Sequence, residues 1–249
     1  MKMTPYAAEF HRHIAEILER IMETQGEAIA EAAVHMKSAF EEGHNIFAFG
    51  PGHAGMFAEE MFYRAGGLAI TNPLFSSGVN CEARPITVTT ALEQLPGYGT
   101  AVLENSPVKP GDALLIHSVA GRNPVAVEMA DRAREKGICV IGIVNMDYAS
   151  RVASRDPSGK MLQDICDVVI DTCGDYGDAF LSIEGLKTKA GPTSSILGSF
   201  IANLLTIQLI SLFLGEGKEA PVFQSANVDG GGAYNQDLLE RYRDRIFYL

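Results

Sequence analysis

Residues 46–67 read Ile46-Phe47-Ala48-Phe49-Gly50-Pro51-Gly52-His53-Ala54-Gly55-Met56-Phe57-Ala58-Glu59-Glu60-Met61-Phe62-Tyr63-Arg64-Ala65-Gly66-Gly67. An apolar run of strand length meets a glycine-rich turn, and a helical pattern follows at once. A short continuous apolar run bounded by glycine suits a strand buried on both faces of a parallel sheet. Glycines let the backbone turn tightly and come close to a ligand. A helix starting there opens with unpaired N–H groups and a partial positive charge, which favour an anion. The stretch therefore predicts a strand, an anion-binding turn and a helix carrying Glu59, Glu60 and Arg64. The same pattern also fits an ordinary strand-to-helix turn with a charged, solvated face, because Gly-x-Gly alone is a weak signal.

Toward the N-terminus, Phe10, Ile14, Ile17, Leu18 and Ile21 recur at helical spacing. Gly26 marks a break, and Ile29, Ala33, Met36 and Phe40 carry a second apolar face before Glu41-Glu42-Gly43 ends it. His11, His13, His35 and His44 read as surface or cap residues. Toward the C-terminus, Leu68-Ala69-Ile70 reads as a second strand. The segment 71–110 is irregular, with short helices expected at 92–95 and 100–105, and has the length of a lid or subunit-contact segment. Ala113–His117, Ile138–Ile143 and Asp167–Asp171 read as further strands. Pro124 suits the first position of a helix whose inward stripe is Val125, Met129 and Ala133, ended by Gly137. Strands separated by helices imply a parallel sheet covered on both faces. Ligands of such sheets bind beyond the carboxyl ends of the strands. His53, the 118–123 turn and the segment after Asp171 all follow strands, so they are expected at one edge.

The 249 residues allow one large domain or two small ones. A formal net charge of -11 argues against a general nucleic-acid partner. An anionic ligand then requires local donors. Cys81, Cys139, Cys166 and Cys173 are widely spaced and form no zinc-type pair, which predicts reduced cysteines in a cytoplasmic protein. The polar N-terminus does not read as a signal peptide. The longest apolar run, 200–214, holds Asn203, Thr206, Gln208 and Ser211 and reads as too short and polar to span a membrane.

Three motifs carry a family resemblance: Gly50-Pro51-Gly52-His53-Ala54, Ile116-His117-Ser118-Val119-Ala120-Gly121-Arg122-Asn123 and Gly191-Pro192-Thr193-Ser194-Ser195. The chain resembles the sugar isomerase (SIS) domain proteins over roughly residues 30–215, in a branch described as phosphosugar-binding or phosphoheptose-isomerase-like. The resemblance implies a three-layer α/β sandwich with a five-stranded parallel sheet of order 2-1-3-4-5. It implies a single SIS domain over 1–249, with N-terminal helices in 1–44, the α/β core in 45–215 and a tail in 216–249. It also implies a homodimer or homotetramer and a phosphorylated sugar or amino sugar as ligand. The chemistry implied is aldose–ketose isomerisation or a related elimination. The alternative is a phosphosugar-binding sensor without chemistry.

The family's phosphate grip uses hydroxyls, several of which this chain lacks. Ala54 and Ala120 stand where hydroxyl residues are usual, and Asn123 where Ser or Thr is common. Ser118 remains, and Arg122 adds a forked cation suited to phosphate. Backbone N–H groups at Gly52, Gly121 and Arg122 are expected to complete the grip beside Gly50. Thr193, Ser194 and Ser195 are candidates for sugar contacts or for capping the last core helix. Moving a proton between adjacent sugar carbons requires a base. The family's catalytic Glu position falls on Arg64, and Glu60, one turn earlier, is either a displaced base or the partner of an ion pair. The last core helix lacks the family's His, so His53 and His117 are the candidate replacements. Asp178 and Glu184 follow the fifth strand and are candidates to reach the sugar. His53, His117 and a carboxylate have no metal-ligand spacing, so neither metal nor cofactor is expected.

Overall fold

The computed structural model describes residues 3–249. Two helices, α1 (Pro5–Thr24) and α2 (Gly26–Glu41), precede strand β1 (Ile46–Phe49). A 3-10 turn over Gly52–Gly55 leads into α3 (Met56–Met61) and then β2 (Thr71–Pro73). Two short helices follow, α4 (Thr87–Glu93) and α5 (Tyr98–Glu104), before β3 (Ala113–His117), α6 (Pro124–Glu135) and β4 (Cys139–Val144). After α7 (Met146–Ser150) come β5 (Val168–Asp171) and a hairpin of β6 (Ala179–Leu181) and β7 (Ala190–Pro192). The chain ends with α8 (Ser194–Gly215), α9 (Gly231–Arg241) and a short 3-10 turn.

The five core strands lie in the order β2-β1-β3-β4-β5, and every neighbouring pair is parallel. All four residues of β1 are buried, because successive side chains enter opposite layers. Ile46 and Ala48 join a core built with α1, α2, α3 and α8. Phe47 and Phe49 join the other core, with Leu103 of α5 and the Val125–Ala133 stripe of α6. The result is the three-layer sandwich that strand–helix alternation requires. A third cluster, Ala69, Phe223, Leu238 and Ile246, seats α9 and the tail.

Three expectations about elements need correction. The second strand lies at Thr71–Pro73 rather than Leu68–Ile70. The apolar 68–70 segment pairs instead with the tail: Leu68 bridges Val222 antiparallel, and the Ala69 N–H donates to the Pro221 carbonyl at 2.8 Å. Burial, not membership of the main sheet, explains its hydrophobicity. The helix after the glycine turn ends at Met61, so Arg64 lies beyond it. The helix read at 92–95 begins earlier and ends at Glu93. The apolar run 200–214 belongs to α8, whose 22 residues are long and apolar enough to cross a membrane by length and composition. In this fold α8 packs Leu197, Ile201, Leu205, Leu209 and Phe213 into the core.

Candidate functional site

The carboxyl ends of the core strands surround a cleft of about 270 Å³. Pro51, His53 and Ala54 form one wall, from the turn after β1. Gly50 gives that turn its tightness, since a Cβ there would meet the Ala54 carbonyl oxygen at 2.4 Å. Ser118, Val119, Ala120, Arg122 and Asn123 form the floor, from the turn after β3. Gly121 makes that turn with a φ of 61°. Gly177, Asp178 and Ser194 close a third side, where the hairpin delivers the chain to the start of α8. The remaining lining comes from Glu93, Tyr148 and Arg155.

Arg122 is the most telling cation. Its guanidinium makes no ion pair or hydrogen bond among the described residues, and its Nε is buried without a partner. A buried, unpaired donor on a permanent charge is costly unless an acceptor arrives. The Arg122 carbonyl accepts the Arg155 N–H at 2.8 Å, so the two arginines enter the cleft from adjacent backbone segments.

Glu93 is the carboxylate of the cleft, at the last position of α4. Burial pushes its pKa above the ordinary Glu value, while a hydrogen bond from Asn123 and the charge of Arg155 oppose the rise. The Asn123 Nδ2 donates to Glu93 Oε2 at 2.9 Å. His53 is exposed on the facing turn.

The other expected site residues divide by position. Ala54, Ser118, Asn123, Asp178 and Ser194 line the cleft with His53 and Arg122. Asp178 is engaged already. Its Oδ1 accepts the Thr193 and Ser194 N–H groups at 3.1 and 2.7 Å, and its Oδ2 the Ser194 hydroxyl at 3.0 Å. The carboxylate thus caps α8 from across the chain, and neither Thr193 nor a neighbouring hydroxyl supplies that cap. Thr193 is buried, with its own hydroxyl donating to the Asp178 carbonyl. Gly50 and Gly52 line a smaller hollow behind the turn. The Gly52 N–H donates to the Val79 carbonyl at 2.6 Å and the Gly121 N–H to the Ser118 carbonyl at 3.1 Å, so neither is available to a phosphate. Ser195 is outside the lining. Glu184 is exposed, and its N–H meets the Tyr6 hydroxyl at 3.2 Å.

Glu60 and His117 are not brought to the cleft. Glu60 pairs with Arg64 and accepts the Asn203 amide at 2.7 Å, on the outer side of α3 and α8. His117 is only 1% exposed. Its Nδ1 lies 3.1 Å from the Ala54 carbonyl, which accepts only, so the proton sits on Nδ1. Nε2 is buried without a partner, and the ring lies against Gly198 of α8. Burial pulls its pKa down to about 4, against weaker opposing contributions from the Ala54 contact and Asp178. A neutral, enclosed imidazole is a packing element here. Among the described residues no group of three or more His, Cys, Asp or Glu side chains is arranged to hold a metal ion.

Sequence reasoning missed Glu93, Tyr148 and Arg155. Each lies in a stretch without a motif, and long-range packing alone carries it to the cleft. His13, read as a surface residue, in fact bonds Asp175 at 2.8 Å and stacks on Phe180, tying α1 to the segment after β5.

A model of the SIS domain family matches residues 9–145. The chain belongs to the SIS domain family. Among its relatives, a UPF0309 protein of Shouchella clausii is 46% identical, with 98% of this chain and 99% of that one aligned. A UPF0309 protein of Oceanobacillus iheyensis is 45% identical over the same shares. Among solved structures, a phosphoheptose isomerase from Neisseria gonorrhoeae superposes with a TM-score of 0.52 at 16% identity, covering 81% of this chain and 96% of that one. The Vibrio vulnificus NanR protein, complexed with ManNAc-6P, superposes at 0.50 and 12% identity, covering 96% and 69%. These likenesses establish the SIS fold, and the sheet order above is the one the fold requires.

Proposed function

We propose that the cleft binds a phosphorylated sugar or amino sugar and interconverts its aldose and ketose forms. Arg122 and Ser118 hold the phosphate, through a forked cation and a hydroxyl. Glu93, rather than Glu60, is the base. It removes the proton from the carbon next to the carbonyl, the C–H electrons form the enediol double bond, and the carbonyl oxygen takes up a proton. Glu93 then returns its proton to the neighbouring carbon. His53 is the group for the proton exchanged between the two oxygens, since an imidazole has two ring nitrogens, one able to donate and the other to accept. The observation that carries this reading is the pairing, in one cleft, of an unpartnered Arg122 with a carboxylate whose pKa burial has raised. A base shifted toward the working pH suits such a proton transfer.

The experiment is a panel of sugar phosphates in D2O, with binding followed by calorimetry and solvent deuterium entering the sugar followed by NMR. Glu93→Gln should lower exchange by about 10²–10⁴-fold while binding persists. Arg122→Ala should instead weaken binding, by about 1.5–3 kcal/mol for a charge-assisted contact. Exchange retained in Glu93→Gln would end the assignment of the base. Tight binding with no exchange by the parent protein would make the chain a sensor.

A further inference from the structure

Asn123 stands at the N-cap of α6 and caps nothing. Asparagine is preferred there because its side-chain oxygen accepts an N–H of the first helical turn. Its backbone has the expected extended conformation, φ -84° and ψ 141°, yet no bond runs from its side chain to the helix. Part of the first turn is served by other means. Pro124 has no N–H, and the Asn123 carbonyl accepts the Ala126 and Val127 N–H groups at 3.2 Å each.

The side chain turns into the cleft instead. Its Nδ2 donates to Glu93 Oε2 at 2.9 Å, and its Oδ1 accepts from Arg155 Nη1 at 3.1 Å. A guanidinium only donates, and an amide has one donor end and one acceptor end. Arg155 therefore selects the amide orientation that turns the NH2 group onto Glu93. The other carboxylate oxygen faces the glycine turn, where a Cβ at Gly52 would come within 3.0 Å of Glu93 Oε1. Glycine at that position leaves the carboxylate its room.

We propose that Asn123 is a positioning residue, which holds the Glu93 carboxylate in place with an amide oriented by Arg155. This rests on the catalytic reading of the cleft. The arrangement also sets the balance of the base, because a hydrogen bond and a nearby cation both favour the ionised carboxylate that burial disfavours. The charged and titratable groups around Glu93 are Arg122, His53, Tyr148, Arg155 and Asp178 of the cleft lining and the Cys81 thiol, itself pushed up by burial, Glu59 and Glu93.

The test uses the whole, ligand-free protein with 13C-carboxyl-labelled glutamate. The Glu93 resonance is assigned by its loss in Glu93→Gln, and its midpoint is followed by pH titration. Asn123→Ala should raise the midpoint, and Arg155→Ala, at an exposed residue, should raise it by less. Asn123→Ser can cap a helix but is too short for Glu93, so its midpoint should match that of Asn123→Ala. A serine cap would stabilise α6 without touching Glu93, so the serine variant should melt above the alanine variant while the two midpoints agree. An unmoved midpoint in Asn123→Ala would overturn the proposal. So would a midpoint that serine restores to the parent value, since serine can cap the helix but cannot reach Glu93. The titration needs no substrate, so a failed search for turnover sinks the isomerase reading without deciding this one.

Discussion

His117 and Glu93 are both ionisable groups drawn out of water, and burial shifts each toward its neutral form. For His117 the consequence is a dependence of stability on pH. Its folded pKa of about 4 lies below the ordinary 6.5, so the unfolded chain binds the proton first as pH falls. Its contribution is fully present above pH 6.5 and is lost as pH falls toward 4, a span worth about 3 kcal/mol. Urea titrations at pH 7 and pH 4.5 should show the parent protein losing more stability than His117→Asn over that interval. Equal losses would remove His117 as the source. Glu93 differs because it lines the cleft and keeps charged neighbours, Arg155 among them. Glu60, four residues before the position where the motif suggested a base, is held by Arg64 and Asn203 on an outer face. Residue type and spacing proposed both carboxylate and imidazole, but the direction in which each side chain leaves its backbone decided their roles.

At the scale of elements, the start of α8 is the joint between the cleft and the core. Helix N-termini leave N–H groups without intrahelical partners. Here Asp178, held at a φ of 69°, crosses from the hairpin and takes two of them. A carboxylate also complements the partial positive charge of that end. Asp178→Ala should destabilise the fold by about 0.5–2 kcal/mol, the usual cost of a lost cap, read from the urea midpoint. Asp178→Asn should recover part of it, because an amide oxygen still accepts. No change in either variant would mean that water serves those N–H groups equally well. The same carboxylate was a candidate sugar contact by its place after the fifth strand. Both its oxygens accept bonds from the start of α8, and it also lines the cleft.

At the scale of the molecule, α8 is apolar on more than its core face. Ile196, Ile207 and Leu214 are 41%, 58% and 60% exposed and recur, with Asn203 and Ser211, along one outer stripe. A helix hydrophobic on all sides is normally buried all round, and an exposed apolar patch marks an interaction surface. We expect a two-fold dimer that covers this stripe. Light scattering at micromolar concentration should give twice the mass of the chain, and Ile207→Glu should return it to the monomer. A parent protein that runs as a monomer would remove the idea. All four cysteines are free.

The chain by itself determined the sheet and its edge. Apolar runs of strand length, set between helical periods and glycine turns, are local patterns, and parallel alternation leaves few ways to connect them. The motifs at 50–54 and 116–123 lay on that edge, and Arg122, Ser118 and His53 were legible because they follow strands. Tertiary structure alone decided the rest. Leu68–Ile70 has a strand's composition, but the tail from 221 onward took its hydrogen bonds. Glu93 and Arg155 come from segments with no motif, and they meet only because α4 and the turn before β5 pack against the floor of the cleft. Gly52 and Gly121 have the conformational freedom their motifs promised, yet their N–H groups are used within the fold. A hydrogen bond depends on where two atoms finally lie, and that is set by packing between residues far apart in the chain.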